Sequence, residues 1–316
     1  MASRKRDLNA PSQSDQSVDF AGYSRCPVLI NDHARVVLGP HAGGRLLDYS
    51  VKGVSALYRD SSQDGWTWAP GRPPIDPCGG RLDVGPEMVL PPHPNLWLGP
   101  WHAESLGKRR AHMTSVEDDA TGLQLLRDFA LDEHSSHLRV TQTMNNLSGQ
   151  PVDCYHWSRT LVEPGGLAVV PLTEPSRFPR KHLMYTPEGF MNFRPEDPNV
   201  SVRDGFFLVE APPKYPKLVL DSCAGWFAYL MTNDLLFVKR FPVYPDRVYG
   251  DLAGATVCIY YHPRFCELEP IGPRERLQPG GSASFTEDWW LLEYKRPSGP
   301  VDLDALTNFV SANTSA

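Results

Sequence analysis

Glu267 and Glu269 lie two residues apart at the end of an apolar run, Phe265-Cys266-Glu267-Leu268-Glu269-Pro270. On a β-strand, side chains two apart leave the same face of the sheet, so both carboxylates point one way. A carboxylate pair on a face that should be buried is costly unless it is hydrogen-bonded, ion-paired or used for proton transfer. The plain alternative is a rim position with pairing to Arg264, Arg274 or Arg276. Glu269, where the run stops against Pro270, sits at the kind of strand end that presents a side chain to a cleft.

Two further constellations could supply its partners. In Tyr155-His156-Trp157-Ser158-Arg159-Thr160 an extended chain puts His156, Ser158 and Thr160 on one face and Tyr155, Trp157 and Arg159 on the other. A histidine there can donate a proton near neutrality, although a lone histidine is also a common structural residue. Gly79-Gly80-Arg81-Leu82-Asp83-Val84-Gly85-Pro86-Glu87 continues through His93 to Trp97, Trp101, His102 and Glu104. Paired glycines allow a tight turn or close backbone approach. Trp97 and Trp101 offer flat surfaces that stack on sugar rings, with Arg81 and His102 as polar neighbours; the competing role for the tryptophans is core packing. His134 and His137, beside Asp132 and Glu133, read as a solvated turn rather than a metal site.

These residues must be positioned by short elements. The 31 prolines and 25 glycines are spread over 316 residues, so the chain is cut into many segments by turns. Val28-Leu29-Ile30 and Arg35-Val36-Val37-Leu38 flank Asn31-Asp32 as a hairpin, and similar apolar runs recur to Tyr294. Only 302–310 reads as helical, with Asp302 as its N-cap. Strands joined by short loops without intervening helices predict antiparallel sheets, in one large all-β sandwich with a short C-terminal helix. The expected layout is a disordered tail at 1–22, one β domain at 23–298, and a helix and tail at 299–316.

A net charge of −6 with 22% charged residues makes no electrostatic case for nucleic acid or an anionic membrane. No run approaches the roughly 18 apolar residues of a membrane span, and the polar N-terminus does not read as a secretory signal. Six scattered cysteines without a CxxC pattern read as reduced, mostly buried thiols. A cytoplasmic protein is expected, with no cofactor or metal called for and the oligomeric state open.

Taken in order, the segments resemble the galactose mutarotase-like (aldose 1-epimerase) superfamily, most closely a poorly characterised branch of it, a domain of unknown function. The likeness runs from Gly43-Gly44-Arg45-Leu46 through the Gly79–Glu87 loop, Asn145-Asn146-Leu147-Ser148-Gly149 and Trp157-Ser158-Arg159-Thr160 to Glu267-Leu268-Glu269-Pro270 and Glu287-Asp288-Trp289. It rests on order and spacing rather than on any one motif. It implies an antiparallel supersandwich with a sugar-binding cleft across one sheet, and a carbohydrate as the small-molecule partner. It further implies Glu269 (or Glu267 in a shifted register) as the base that takes the anomeric hydroxyl proton, and His156 as the acid that protonates the ring oxygen. Arg81, Glu87, His93, Trp97, Trp101, His102 and Arg159 would hold the substrate. The family's Leu-His-Gly-Gly-like loop is absent here, so His93 and His102 are its positional candidates. Because the superfamily also contains binding modules and lyases, a non-catalytic sugar-binding protein and a lyase or isomerase of a non-sugar metabolite stand as alternatives.

Overall fold

The structure, a computed structural model, describes residues 16–86 and 89–315. Within them the alternation of apolar and polar residues produces two antiparallel sheets, one of 13 strands and one of 10, packed face to face. The helix Leu303–Asn313 lies outside the sandwich. This is the all-β architecture expected, and no helix of the described residues is long and apolar enough to cross a membrane.

One-sided burial defines the smaller sheet. Leu123–Leu131 and Leu138–Asn146 pair along their length, and each buries alternate residues. Their inward side chains, among them Leu125, Phe129, Val140 and Met144, join Leu38, Leu46, Leu82 and Leu268 of the larger sheet in a continuous core. The middle of the larger sheet differs: Gly80–Gly85 and Phe265–Pro270 are buried at every position. One face of these strands meets the core, while the other lies under loops and carries polar residues.

The order of strands in that middle is what assembles the polar face. Gly80–Gly85 pairs with Val152–Val162, which pairs with Phe265–Pro270, followed by Val257–His262 and Lys217–Leu220. Segments separated by more than a hundred residues therefore become neighbours about 4.8 Å apart. The hairpin at Asn31 forms as expected, with Val28 opposite Val37 and the Asn31 carboxamide oxygen accepting from the His33 and Ala34 amides.

At the C-terminal end, the Asp302 carboxylate accepts from the Ala305 amide at 2.9 Å, the N-cap its position predicted. Leu303, Leu306 and Val310 share one helical face and bury against Val169, Leu236, Val238 and Trp290 on the outside of the smaller sheet. The opposite end corrects the expected boundary at residue 22. Ser17–Phe20 is a strand, with Ser17 opposite Pro27 and Val18 opposite Cys26. Val18 and Phe20 pack on the small cluster of Tyr23, Cys26, Val28 and Leu47, which is enough to order a polar segment on a sheet edge. The remainder of the expected tail, residues 1–15, lies outside the described residues. All six cysteines are free and only Cys223 is exposed.

The interior also holds ions. Lys239 and Glu287, both fully buried, pair at 3.0 Å across adjacent strands of the smaller sheet. Glu287 accepts further from Gln142 Nε2 at 2.7 Å and Trp289 Nε1 at 2.9 Å. Lys239 donates to Thr160 Oγ1 at 2.7 Å and lies 3.4 Å from the Leu268 carbonyl, both in the larger sheet. Arg127 crosses the same gap to the carbonyls of Gly44 and Gly80 at 2.8 and 3.0 Å. Burial lowers the Lys239 ammonium to about 8 despite Glu287. Removing one member of such a pair strands the other. Lys239→Met should cost about 3–5 kcal/mol in urea unfolding, and the double change Lys239→Met/Glu287→Gln should recover most of it; equal losses in the single and double variants would contradict this account.

Candidate functional site

A cleft runs over the outer face of the larger sheet, bounded by the Pro-rich stretches 69–77 and 90–97. It has two lobes that meet at Asp76 and Arg159. One, of about 600 Å³, is lined by Trp68, Ile75, Leu90 and Trp97 over a floor of Arg81, Asp83, His93, Trp157 and Arg159. The other, of about 410 Å³, contains Tyr58, Gln63, Lys217, Tyr260, Glu267 and Glu269. The strand period supplies the floor: Arg81 and Asp83, Trp157 and Arg159, and Glu267 and Glu269 are each two apart.

Arg159 grips Glu267 with two parallel bonds, Nε to Oε1 at 2.8 Å and Nη2 to Oε2 at 3.1 Å, the bidentate geometry that guanidinium and carboxylate favour. Arg81, only 1% exposed, stands 4.0 Å from the same carboxylate. It meets Asp76 at 2.8 Å, the Pro77 carbonyl at 3.0 Å and Asp83 at 3.9 Å. Asp83 is also 3.7 Å from Arg159 and 3.3 Å from His93 Nε2, and accepts from the Val84 amide at 2.9 Å. With His93 Nδ1 2.8 Å from the Pro91 carbonyl, both ring nitrogens face acceptors, the arrangement that suits an imidazolium.

Glu269 has less support. Its carboxylate accepts from the Trp157 indole N–H and lies beside the apolar cluster of Trp157, Phe178, Leu183, Val219, Cys258 and Ile271. Burial, then the Glu267 charge, pushes it up to about 7, against the pull of Arg159, Lys217 and the indole. Cys258, opposite Glu269 in the ladder, is held well above the usual thiol range by burial and then by Glu269, so it stays a neutral thiol. Asp83 goes the other way. Burial would raise it, but the His93 hydrogen bond and the Arg81 and Arg159 charges hold it below its ordinary value. For His93, burial would lower the ring, yet Asp83 wins and raises it above 6.5.

Of the residues expected from the sequence, Glu267, Glu269, Arg81, Arg159, His93 and Trp97 line this one cleft. His156 does not, and its expected role as acid needs correction. On the strand Val152–Val162 it points opposite to Trp157 and Arg159, into the sandwich, where it stacks on Phe285 at 5.6 Å. It is 1% exposed and neither ring nitrogen has a hydrogen-bond partner. Burial lowers it to about 4, with the nearby backbone of Ala283 and Gln142 offsetting only part.

Trp101 is likewise a packing residue. It is buried against Gly44, whose backbone has a φ of +54° and where a Cβ would come within 2.4 Å of the indole, and its N–H donates to the Leu96 carbonyl at 2.8 Å. His102 lies on the edge strand Trp101–Ser105 of the smaller sheet, beside Pro40, His41 and Glu104 in a separate groove. Glu87 lies outside the described residues. Asp83, Trp157, Lys217 and Asp76 belong to the floor and were not singled out. Period-two spacing from Arg81 and Arg159 would have found the first two.

Among the described residues no group of three or more His, Cys, Asp or Glu side chains could hold a metal ion. His134 lies in the expected turn, where Asp132 accepts from its amide at 2.9 Å, while His137 bonds Asp288 at 2.7 Å.

The two antiparallel sheets with a cleft over the larger one define a galactose mutarotase-like fold. Solved structures agree. The Slr1438 protein of Synechocystis sp. PCC 6803 is similar with a TM-score of 0.60 at 15% identity, over 88% of this chain and 99% of that one. A galactose mutarotase-like protein of Lactobacillus casei ATCC 334 gives 0.57 at 10% identity, over 84% and 100%. A galactose mutarotase related enzyme of Lactobacillus acidophilus gives 0.51 at 9% identity, over 86% and 100%. No curated protein matches the sequence. Residues 85–292 match the family described as Domain of unknown function (DUF4380), and the chain belongs to that family.

The His156 environment has a measurable consequence. Folding favours the neutral ring, so its contribution is complete above about pH 6.5 and is lost as pH falls through about 4. In His156→Leu, the loss of unfolding free energy between pH 7 and pH 4 should shrink by on the order of 3 kcal/mol. Parallel stability–pH curves for the two proteins would refute this.

Proposed function

We propose that the cleft is an acid/base site acting on a carbohydrate or a related polyhydroxylated metabolite, as an aldose 1-epimerase-like isomerase. Glu269 is the base and His93, ion-paired to Asp83, is the acid. The observation that carries this reading is geometric: buried Glu269 and the Asp83-paired His93 lie in the two lobes that meet at Arg159. A buried carboxyl near 7 accepts a proton readily at neutral pH, while the raised His93 keeps one to give.

A sugar ring lying across the junction at Arg159 would meet Glu269 from the smaller lobe and His93 from the larger. Glu269 removes the anomeric hydroxyl proton, the bond from C1 to the ring oxygen breaks, and His93 protonates that oxygen. Rotation about the C1–C2 bond and reversal of the two transfers closes the ring on either face of the aldehyde. Arg159 is tied to Glu267 and Arg81 to Asp76 and the Pro77 carbonyl, so both can orient hydroxyls without carrying a proton.

The test is anomer exchange followed by NMR over a panel of aldoses. Glu269→Gln should reduce the rate by about 10²-fold or more, whereas saturable sugar binding with no exchange in the unmodified protein would favour the non-catalytic alternative. The rate should rise with pH through about 7 as Glu269 ionises, and fall as His93 deprotonates above its ordinary 6.5. Trp157→Phe removes a donor that favours the Glu269 carboxylate, so the rising limb should move to higher pH. Asp83→Asn removes the group that holds the proton on His93, so the falling limb should move to lower pH. An unchanged profile in both variants would exclude these assignments.

A further inference from the structure

We infer that the natural substrate is a conjugate: a hydroxylated unit at the acid/base floor, bearing a flat apolar substituent that occupies the larger lobe. The inference deepens the proposed function and rests on it. Its basis is the unequal chemistry of the two lobes. Ligand pockets generally measure about 300–1,000 Å³. The smaller lobe, about 410 Å³, already meets that size, and the larger adds about 600 Å³. A single sugar at the junction leaves most of the larger lobe unfilled.

The walls of that lobe are mostly apolar. Trp68, Ile75, Leu90 and Trp97 stand there with prolines 74, 91 and 92, surfaces with few hydrogen-bonding groups. A hydroxyl-rich ring pressed against them would find few partners for its outward hydroxyls, whereas a flat apolar group needs none. The polar groups of its floor already belong to the proposed acid/base site: Asp83 holds His93 and Asp76 holds Arg81. Trp68 and Trp97 are each half-buried, so both keep part of the ring free to meet a ligand. Trp97 is braced from below by the Arg81 guanidinium, 5.4 Å from its ring centroid, and Trp68 by an indole hydrogen bond to Asn95 at 3.2 Å. Two braced aromatic surfaces beside aliphatic ones are complementary to an arene or a similarly flat apolar group. The smaller lobe, with the Tyr58 and Tyr260 hydroxyls near the carboxylates, has the more polar lining of the two.

Calorimetric titration of the full chain with aldohexoses and their mono-O-benzyl ethers, substituted in turn at each non-anomeric hydroxyl, tests this directly. Burying a phenyl ring in the lobe should make at least one ether bind about tenfold or more tighter than its parent. In Trp97→Ala and, separately, Trp68→Ala, parent and ether should then bind alike. Trp68 stands on a loop, so its variant keeps the test valid if Trp97→Ala fails to fold. No ether binding more tightly than its parent, or a gain that survives in Trp68→Ala, overturns the inference. Anomer exchange measured on the same sugars keeps the two proposals apart. Exchange on parent sugars without a benzyl gain removes the conjugate and leaves the acid/base reading, whereas a benzyl gain without exchange on any sugar removes the reaction and leaves the assignment of the lobe.

Discussion

Two carboxylates on one face of a strand repel each other, and that repulsion organises the candidate site. Glu267 and Glu269 are both 1% exposed, so neither can shed its charge into water. The Arg159 guanidinium closes on Glu267 with both of its parallel donors. Glu269 has an indole N–H, a neutral thiol opposite it and an apolar wall, and the Lys217 and Arg159 charges offset only part of its burial and of the Glu267 charge. Its carboxyl therefore holds its proton to about pH 7. The asymmetry needs no special residue at position 269, only one guanidinium and two carboxylates.

The support for that strand comes from the other side of the sheet. Lys239 reaches from the smaller sheet to Thr160 and toward the Leu268 carbonyl, and Leu268 is the residue between the two glutamates. Arg127 likewise reaches Gly80, next to Arg81. These interior ions tie the backbone of the cleft strands to the second sheet, where an apolar core alone would allow small slides. Fixed backbone of this kind limits the geometries open to the polar side chains of the cleft.

Fold and site part company at the histidines. The architecture is that of galactose mutarotase-like proteins, but a shared architecture hosts many reactions. In this chain the histidine that follows the Asn-rich turn, His156, faces the core. His93, delivered by a Pro-rich loop and held by Asp83 on the strand Gly80–Gly85, is the one in the cleft. The interior position explains why His156 is kept neutral, and the Asp83 partnership explains why His93 holds its proton more tightly than a free imidazole.

The sandwich class, the hairpin at Asn31, the Asp302 cap and the pairing of Glu267 with Glu269 on one face all follow from local rules, because turn residues, caps and period two act over a few positions. The alternation on 155–160 also made His156 and Arg159 mutually exclusive in one cleft, a constraint legible from spacing alone. What it left open was which face would meet the cleft. That depended on the register between Val152–Val162 and its neighbours from residues 80–85 and 265–270, and so on contacts between segments far apart in sequence. The fate of Trp101, packed on Gly44 instead of lining the site, was settled the same way. So was the strand at Ser17–Phe20, which only an edge already formed could order. The sequence by itself determined which residue types stand two apart on a strand and hence which carboxylates must share a face. Only the tertiary structure decided that Arg159 neutralises Glu267 rather than Glu269, because that choice rests on which side chains of two strands distant in sequence come within about 3 Å of one another.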